Sequence, residues 1–215
     1  MSKFNHINTW VFDLDNTLYP PSCKLFDQIA VRMTEFIMAR FDLDHEKSSH
    51  LRHKYYKTYG TTLRGLMLEH NLEPHGFLDY VHTIDYSAVA CHEELRSAIA
   101  KLPGRKLVFT AGTKAHARNV LENLGCADAF EDIFDITHAN FIPKPDARPY
   151  EAFFKRHEVS PAHAAFFEDI AENLLVPRAR GMTTVLVGNH DIVSMPAHID
   201  YVTDNLAEFL NGVIE

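Results

Sequence analysis

Two acidic side chains, Asp13 and Asp15, stand one residue apart in the stretch Asp-Leu-Asp-Asn-Thr at residues 13–17. They follow the short apolar run at residues 10–12, a pattern typical of a buried strand that enters a loop. Two carboxylates at a buried strand end repel each other and lose hydration, and a bound divalent cation such as Mg²⁺ compensates for both effects. An Asp/Asn-rich turn without any ligand accounts for the pentapeptide equally well, so the other polar residues must decide between the two interpretations.

Three further polar groups follow predicted strands. They are Thr110 with the small residues Ala111 and Gly112, Lys144 between two prolines, and the acidic pair Glu168 and Asp169. Taken singly, these groups are typical of a helix cap, an exposed loop lysine and a solvated helix start. Because the carboxyl ends of parallel strands meet at one edge of a sheet, we expect all of them to converge with Asp13 and Asp15 on a ligand-binding crevice.

The elements that must position these residues alternate between strand and helix in the second half of the chain. Strands are predicted over residues 106–110, 133–136, 164–167 and 183–187, and helices over residues 114–124, 148–157 and 171–180. Apolar strands that alternate with helices indicate a parallel sheet covered on both faces, and the first strand belongs to that sheet. The predicted fold class is therefore α/β.

A helical segment interrupts the sheet after its first strand. Apolar residues recur at three-to-four spacing from Phe26 to Ile37. The predicted helices begin with a cap at Ser22 and continue over residues 44–59, 62–71 and 74–82. Four successive helices bury their apolar stripes most simply against each other, as a small bundle. We therefore divide the chain into an α/β core, residues 1–18 and 90–215, and an all-helical cap, residues 19–89, placed to act as a lid over the crevice.

The overall composition argues against some classes of function. The 215 residues carry a net charge of −8, which disfavours binding driven by attraction to nucleic acid or to an anionic membrane. Neither a signal segment nor an apolar stretch long enough to span a bilayer is found. Three scattered cysteines favour reduced thiols, so we expect a cytoplasmic protein. The 14 histidines show no metal-binding spacing, and none is assigned to a metal.

The order of these groups resembles the haloacid dehalogenase (HAD) superfamily of aspartyl-phosphate phosphatases over nearly the whole chain. Residues 13–18 resemble the first motif of that superfamily, Thr110 the second, Lys144 the third, and the pair Glu168-Asp169 the fourth. The resemblance implies a Rossmann-like parallel sheet core of the HAD type with an inserted all-helical cap.

Residues 13–20, 55–66 and 115–117 resemble the pyrimidine 5′-nucleotidase-like branch of the superfamily more narrowly. The sequence also departs from the usual pattern at three points. Ala111 stands where the second motif usually has Asn, and Glu168 stands where this branch more often has Asp. The segment at residues 89–92 lacks the proline-containing hinge expected at the return from the cap.

The resemblance implies a reaction in two displacements. Asp13 attacks phosphorus and forms an aspartyl-phosphate, while Asp15 first protonates the leaving oxygen and then acts as base for the hydrolytic water. Dehalogenases share the first acid but lack the second, because their chemistry needs no acid for an alkoxide leaving group. The presence of Asp15 therefore favours a phosphatase over a dehalogenase.

The same resemblance implies Mg²⁺ as the cofactor and a cradle for the phosphate. Mg²⁺ would be held by Asp13, the backbone carbonyl of Asp15 and Asp169, with Glu168 assisting. The phosphate would be held by Thr110, Lys144 and the backbone N–H groups of Ala111 and Gly112.

The expected substrate is a small phosphorylated metabolite, with a pyrimidine nucleoside 5′-monophosphate as the first choice. The side chains expected to select it are Tyr19, Tyr59, Arg64 and Tyr86. Aromatic faces stack on bases and Arg holds carbonyl or phosphate groups, although each tyrosine could equally pack the helical bundle. The alternatives are a phosphoglycolate or sugar-phosphate phosphatase, a β-phosphoglucomutase-type phosphotransferase, and a non-catalytic metal-binding interaction module.

Overall fold

The computed structural model describes residues 4–190 and 194–214. Within these residues, six strands form one sheet in the order β3-β2-β1-β4-β5-β6, and every pairing is parallel. The strands are β1 (Thr9–Phe12), β2 (Arg105–Phe109), β3 (Asp132–Phe134), β4 (Ala164–Glu168), β5 (Thr183–Val187) and β6 (Tyr201–Thr203). The predicted α/β class with a parallel sheet is confirmed.

Nine α-helices accompany the sheet in the described part of the chain. They are α1 (Leu25–Phe41), α2 (His45–Tyr59), α3 (Thr62–His70), α4 (Pro74–Val81), α5 (Glu93–Lys101), α6 (Lys114–Leu124), α7 (Ala147–His157), α8 (Leu175–Ala179) and α9 (Leu206–Ile214). Helices α1 to α4 follow β1 directly, so all four lie between the first two strands in chain order. We call α1–α4 the helical insertion.

The sheet buries apolar side chains on both faces, as its parallel pairing requires. Along β1, Trp10 and Phe12 pack into one apolar cluster and Val11 into the other. The rings of Phe12 and Phe167, on neighbouring strands, stack with their centroids 4.6 Å apart. The apolar clusters on the two faces of the sheet therefore hold the ends of these strands in place.

The helical insertion has an apolar cluster of its own. Helix α1 packs against α2 and α4, and α2 packs against α3. Ile37, Leu66 and Phe77 are buried in this cluster, and Ile136 and Phe141, from the loop after β3, join it. The four helices thus pack as the bundle that the apolar spacing predicts, and they also contact the loop that carries Lys144.

The start of the helical insertion differs from the prediction. Helix α1 begins at Leu25 and is not capped by Ser22, because Pro21–Cys23 form a 3₁₀ turn and Lys24 adopts a left-handed conformation with φ 53°. The predicted start of α2 is confirmed, since the Asp44 side chain accepts a hydrogen bond from the backbone N–H of Lys47.

The carboxyl-terminal half differs from the prediction at two places. Residues 171–180 form a 3₁₀ helix, Ala171–Leu174, followed by the short α8. Pro177 provides the reason, since it has no N–H to donate and its ring crowds the preceding turn. Strand β6 was not predicted, because its three residues are too few to show a periodicity. Helix α9, which follows it, was not predicted either.

Among the described residues, no helix combines the length and the apolar character needed to cross a membrane.

Candidate active site

The predicted motif residues meet at the carboxyl ends of the three strands at the centre of the sheet. Strand β1 lies between β2 and β4, and the chain reaches β4 only after it has built β2 and β3 on the other side. Asp13 follows β1 and donates its backbone N–H to Phe167 O at 2.9 Å. Thr110 follows β2, and Glu168 ends β4. This is the topological switch point at which open α/β sheets bind ligands.

Lys144 joins all three of these strand ends. Its Nζ lies 2.6 Å from Asp13 Oδ1, 2.6 Å from Glu168 Oε2 and 3.2 Å from the carbonyl oxygen of Phe109. The Lys144 side chain is only 5% exposed. One buried ammonium group therefore serves two buried carboxylates that come from different strands.

The charges of this buried trio shift its pKa values. Burial raises the pKa of Asp13 to about 7, and the negative charge of Glu168 adds to the rise. Burial likewise raises the pKa of Glu168 to about 7. Burial opposes the charged form of Lys144, but the charges of Asp13 and Glu168 outweigh it and raise the pKa of the ammonium group. The site thus holds more potential negative charge than its lysine neutralises, which is a condition that favours a bound cation.

The acidic cluster fits a hard divalent cation. Carboxylate oxygens of Asp13, Glu168 and Asp169 lie within 4.8 Å of one another. The Thr17 hydroxyl is 3.4 Å from Asp13 Oδ2 and 3.5 Å from Asp169 Oδ1, so it lies between the two carboxylates. Burial and the charge of Asp13 raise the pKa of Asp169. Oxygen ligands of this type suit Mg²⁺.

Glu168 differs from the other two acids because its two oxygens accept three hydrogen bonds, two of them from backbone N–H groups. Oε2 pairs with Lys144, and Oε1 accepts the backbone N–H groups of Asp169 and Ile170, each at 3.1 Å. Asp13 and Asp169 are therefore the better candidates for direct ligands, with Glu168 placed behind them.

The loop after β2 has its own internal geometry. The hydroxyl oxygen of Thr110 is buried in the loop and accepts the backbone N–H of Gly112 at 2.9 Å. This hydrogen bond engages one of the two N–H groups expected to hold the phosphate, while Ala111 is exposed. A Cβ at Gly112 would lie 2.9 Å from His116 Cδ2 and 3.7 Å from Asp15 Oδ2, so the glycine allows these two side chains to approach the loop.

Asp15 lies in a network that the sequence did not indicate. Its Oδ1 accepts the hydroxyl of Tyr19 at 2.5 Å and lies 2.8 Å from His116 Nε2. Burial raises the pKa of Asp15, but the charge and hydrogen bond of His116 and the hydroxyl of Tyr19 outweigh it, so the pKa falls to about 2. His116 was absent from the predicted site, although it stands in the first turn of the helix that follows Thr110, and that position was the available signal.

The predicted specificity residues lie in two places. Tyr19 is buried beside Asp15, and the Tyr86 hydroxyl lies 3.0 Å from His116 Nδ1. Tyr59 ends α2 and donates its hydroxyl to Glu69, while Arg64 belongs to α3, which begins after the cap at Thr61. Tyr19 and Tyr86 thus contact the acid network, whereas Tyr59 and Arg64 belong to the helical insertion.

Comparison with known proteins places this arrangement in a family. The profile described as "Hydrolase: haloacid dehalogenase-like hydrolase" matches residues 7–179, most of the chain. The chain belongs to the haloacid dehalogenase-like hydrolases. The HAD-like match covers β1 to α8, including every predicted motif residue.

Individual HAD-like relatives agree with this assignment. Phosphate metabolism protein 8 of Saccharomyces cerevisiae is 28% identical over 193 residues, which cover 81% of this chain and 60% of the yeast protein. The chain therefore spans less than two thirds of the length of this relative. A HAD phosphatase from Thermococcus onnurineus superposes with a TM-score of 0.62 at 18% identity, over 95% of this chain and 97% of the other. An L-2-haloacid dehalogenase from Xanthobacter autotrophicus gives 0.59 at 15% identity, over 95% and 97%. At these identities the two structures show the shared fold.

Proposed function

We propose that the protein is a Mg²⁺-dependent phosphomonoester hydrolase that acts through an aspartyl-phosphate on Asp13. One observation carries the proposal: the Asp13 carboxylate lies within 2.6 Å of a buried lysine, in an acidic cluster suited to a cation. An anionic nucleophile can approach an anionic phosphate only where such positive charge is held in place. The names of the yeast relative and of the Thermococcus structure support a phosphatase.

In this proposal the cation would be held by Asp13 and Asp169, with the backbone carbonyl of Asp15 as a third ligand and Glu168 assisting. When bound, it supplies positive charge that offsets the repulsion between carboxylate and phosphate. Lys144 adds positive charge at Oδ1 of Asp13 and would steady the phosphoryl oxygens. Thr110, Ala111 and Gly112 form the remaining wall of the phosphate cradle.

Asp15 is the group that transfers protons. With no substrate charge beside it, the pKa of Asp15 of about 2 keeps it ionised at neutral pH, as a base must be. A phosphate dianion beside this carboxylate raises its pKa, because like charges disfavour the ionised form. The same side chain can then give a proton to the leaving oxygen and later take one from water. A hydrolase with no leaving oxygen to protonate needs no such residue, which favours a phosphatase over a dehalogenase.

We further propose that residues 19–89 act as a cap, with the core formed by residues 1–18 and 90–215. The contact of the helical insertion with Ile136 and Phe141, on the Lys144 loop, supports this division. The substrate we propose is a pyrimidine nucleoside 5′-monophosphate, handled in the cytoplasm without a nucleic-acid polymer or a membrane as partner. Phosphoglycolate and sugar phosphates are the rival substrates.

The deciding experiment measures hydrolysis of 4-nitrophenyl phosphate with Mg²⁺ and with EDTA. We expect activity with Mg²⁺ only, and none from Asp13→Asn with its fold intact by circular dichroism. Asp132→Asn is the matched control, because Asp132 pairs with Lys114 at the start of β3, and it should retain wild-type activity. Full Mg²⁺-dependent activity in Asp13→Asn would remove Asp13 as the nucleophile.

The substrate class needs a separate measurement. A panel that compares kcat/KM for UMP and CMP with phosphoglycolate and sugar phosphates should show a preference for the two nucleotides. Equal or lower values for the nucleotides would reject the pyrimidine assignment and leave the phosphatase proposal in place. Mg²⁺ binding without turnover of any monoester would instead favour the non-catalytic binding module.

A further inference from the structure

We propose that Tyr19 and His116 are positioning residues that hold Oδ1 of Asp15 and thereby leave Oδ2 as the oxygen that exchanges protons with the substrate. This inference rests on the phosphatase function proposed above, in which Asp15 is the acid and base. It assigns the proton transfer to one atom.

The two oxygens of Asp15 have different surroundings. Oδ1 accepts the Tyr19 hydroxyl at 2.5 Å and contacts His116 Nε2 at 2.8 Å. Among residues 4–190 and 194–214, no hydrogen bond to Oδ2 is found. The Asp15 side chain is 20% exposed, so the carboxylate can be reached by a reactant.

Oδ2 faces the loop expected to hold the phosphate. A Cβ built at Gly112 would lie 3.7 Å from Asp15 Oδ2 and 3.4 Å from Thr110 Oγ1, so the two oxygens flank the same glycine. A substrate phosphate held by this loop therefore lies on the Oδ2 side of the carboxylate.

The His116 ring is held firmly enough to fix a neighbour. Its side chain is fully buried, and the ring of His82 stacks on it with centroids 4.7 Å apart. The Tyr86 hydroxyl oxygen lies 3.0 Å from His82 O, to which it donates, and 3.0 Å from His116 Nδ1, so it contacts the second nitrogen of the His116 ring. The absence of a Cβ at Gly112 makes room for the ring, which such a carbon would approach to 2.9 Å.

The two hydrogen bonds to Oδ1, from Tyr19 and His116, prevent the Asp15 carboxylate from rotating. This fixed orientation matters for both displacements. In the first, Asp13 forms a bond to phosphorus, the ester P–O bond breaks, and Oδ2 gives its proton to the departing oxygen. In the second, water attacks phosphorus, Oδ2 takes the water proton, and the bond from phosphorus to Asp13 breaks. Since small misplacements of a reacting group are costly, a carboxylate held in one orientation serves both steps better than one free to turn.

The test exploits the leaving group. An alkyl ester needs a proton as its oxygen departs, whereas 4-nitrophenolate leaves without one at neutral pH. The full chain with Mg²⁺ is assayed for kcat/KM on 4-nitrophenyl phosphate and on an alkyl ester, either glycerol 3-phosphate or UMP, whichever the wild type hydrolyses faster. The variants are His116→Ala, His116→Gln and Tyr19→Phe.

We expect His116→Ala and Tyr19→Phe to lose about tenfold or more on the alkyl ester, a part of the ~10²–10⁴-fold that general acid catalysis supplies, and less than about threefold on 4-nitrophenyl phosphate. His116→Gln should recover part of the loss, because its amide nitrogen can reach Oδ1 from the position of Nε2. Tyr55→Phe and His157→Gln are matched controls: both residues are buried, Tyr55 bonds His70 in the helical insertion, and neither contacts Asp15.

Equal losses on both esters, or no loss on the alkyl ester, would overturn the positioning role. If a His116 variant fails to fold, Tyr19→Phe still tests the positioning role, because it removes only one oxygen atom. A wild-type protein that hydrolyses neither ester would instead refute the phosphatase proposal, so the two failures are distinguishable.

Discussion

At the scale of single residues, the most consequential feature is the shared lysine. Lys144 lies 2.6 Å from both Asp13 and Glu168, and all three side chains are buried. Desolvation makes each of these charges costly alone, and their mutual attraction offsets the cost only while all partners remain. The trio is therefore sensitive both to substitution and to protons.

Removal of the lysine should damage activity and stability together. Lys144→Ala leaves Asp13 and Glu168 without their ammonium, so we expect turnover of 4-nitrophenyl phosphate to fall by at least ~10²-fold, as for loss of one preorganised electrostatic group. The free energy of unfolding should fall by as much as about 3–5 kcal/mol in EDTA. Added Mg²⁺ should restore part of that stability in urea titrations, and a variant that is as stable as wild type in EDTA would contradict this account.

Proton competition should make Mg²⁺ binding depend on pH. The pKa values of Asp13 and Glu168, both about 7 without a cation, mean that the two carboxyls are substantially protonated below that pH. A cation binds the ionised form, so its affinity should weaken as pH falls below 7, by up to about tenfold per pH unit for each proton displaced. Isothermal titration from about pH 6 to about pH 8 in buffers of different ionisation enthalpy measures the proton release. A constant Mg²⁺ affinity across that range would show that these carboxyls titrate elsewhere.

At the scale of elements, the junction between α2 and α3 determines how the helical insertion meets the core. Gly60 ends α2 with φ +83°, and a Cβ there would approach Pro143 Cγ to 2.9 Å. Pro143 precedes Lys144, so this turn touches the loop that brings the Lys144 ammonium group to Asp13. Only glycine combines the left-handed backbone with so close an approach.

This contact predicts that Gly60→Ala lowers activity, whereas the same substitution at Gly181, which has no such contact, does not. Gly60→Ala and Gly181→Ala both place a side chain at positive φ, which costs about 1 kcal/mol each. Gly181 has φ +93°, and a Cβ built there would meet no atom within 4 Å, whereas a Cβ at Gly60 would meet Pro143. We expect thermal melting to show a loss of stability in both variants, larger in Gly60→Ala because its Cβ also meets Pro143, and a fall in kcat/KM only for Gly60→Ala. Unchanged catalysis in Gly60→Ala would show that this contact does not support the Lys144 loop.

At the scale of the whole molecule, the chain folds around three apolar clusters, which support different parts of the proposed function. Two lie on the faces of the sheet and hold the strand ends, and the third lies among the four inserted helices. The candidate metal ligands Asp13, Glu168 and Asp169 all belong to the strand ends. The chemistry therefore depends on the sheet, and we propose that substrate selection depends on the insertion.

Substitutions in the two kinds of cluster should separate these roles. Phe77→Ala, in the insertion, and Phe153→Ala, against Phe109 of the sheet, each remove a fully buried ring and should cost about 3–5 kcal/mol. Calorimetry below the melting temperature of each variant should find Mg²⁺ affinity retained in Phe77→Ala and weakened in Phe153→Ala. A larger loss of Mg²⁺ affinity in Phe77→Ala would show that the cation site depends on the insertion.

The sequence by itself determined the class of the fold and the groups that meet at the sheet edge. Apolar runs such as residues 164–167 are visible locally, and the parallel pairing that they predict necessarily brings their carboxyl ends together. Asp13, Lys144 and Asp169 could therefore be predicted as neighbours although long stretches of chain separate them.

Only the tertiary structure decided what surrounds Asp15. Tyr19 is near in sequence, but His116 belongs to α6, and His82 and Tyr86 join the network from the segment that follows the helical insertion. A lone histidine on a helix carries no local signal of its partner, because the direction of its side chain depends on how helices pack. The same reason holds for the contact between Gly60 and Pro143, since two turns that are far apart in sequence meet only when the insertion packs on the core.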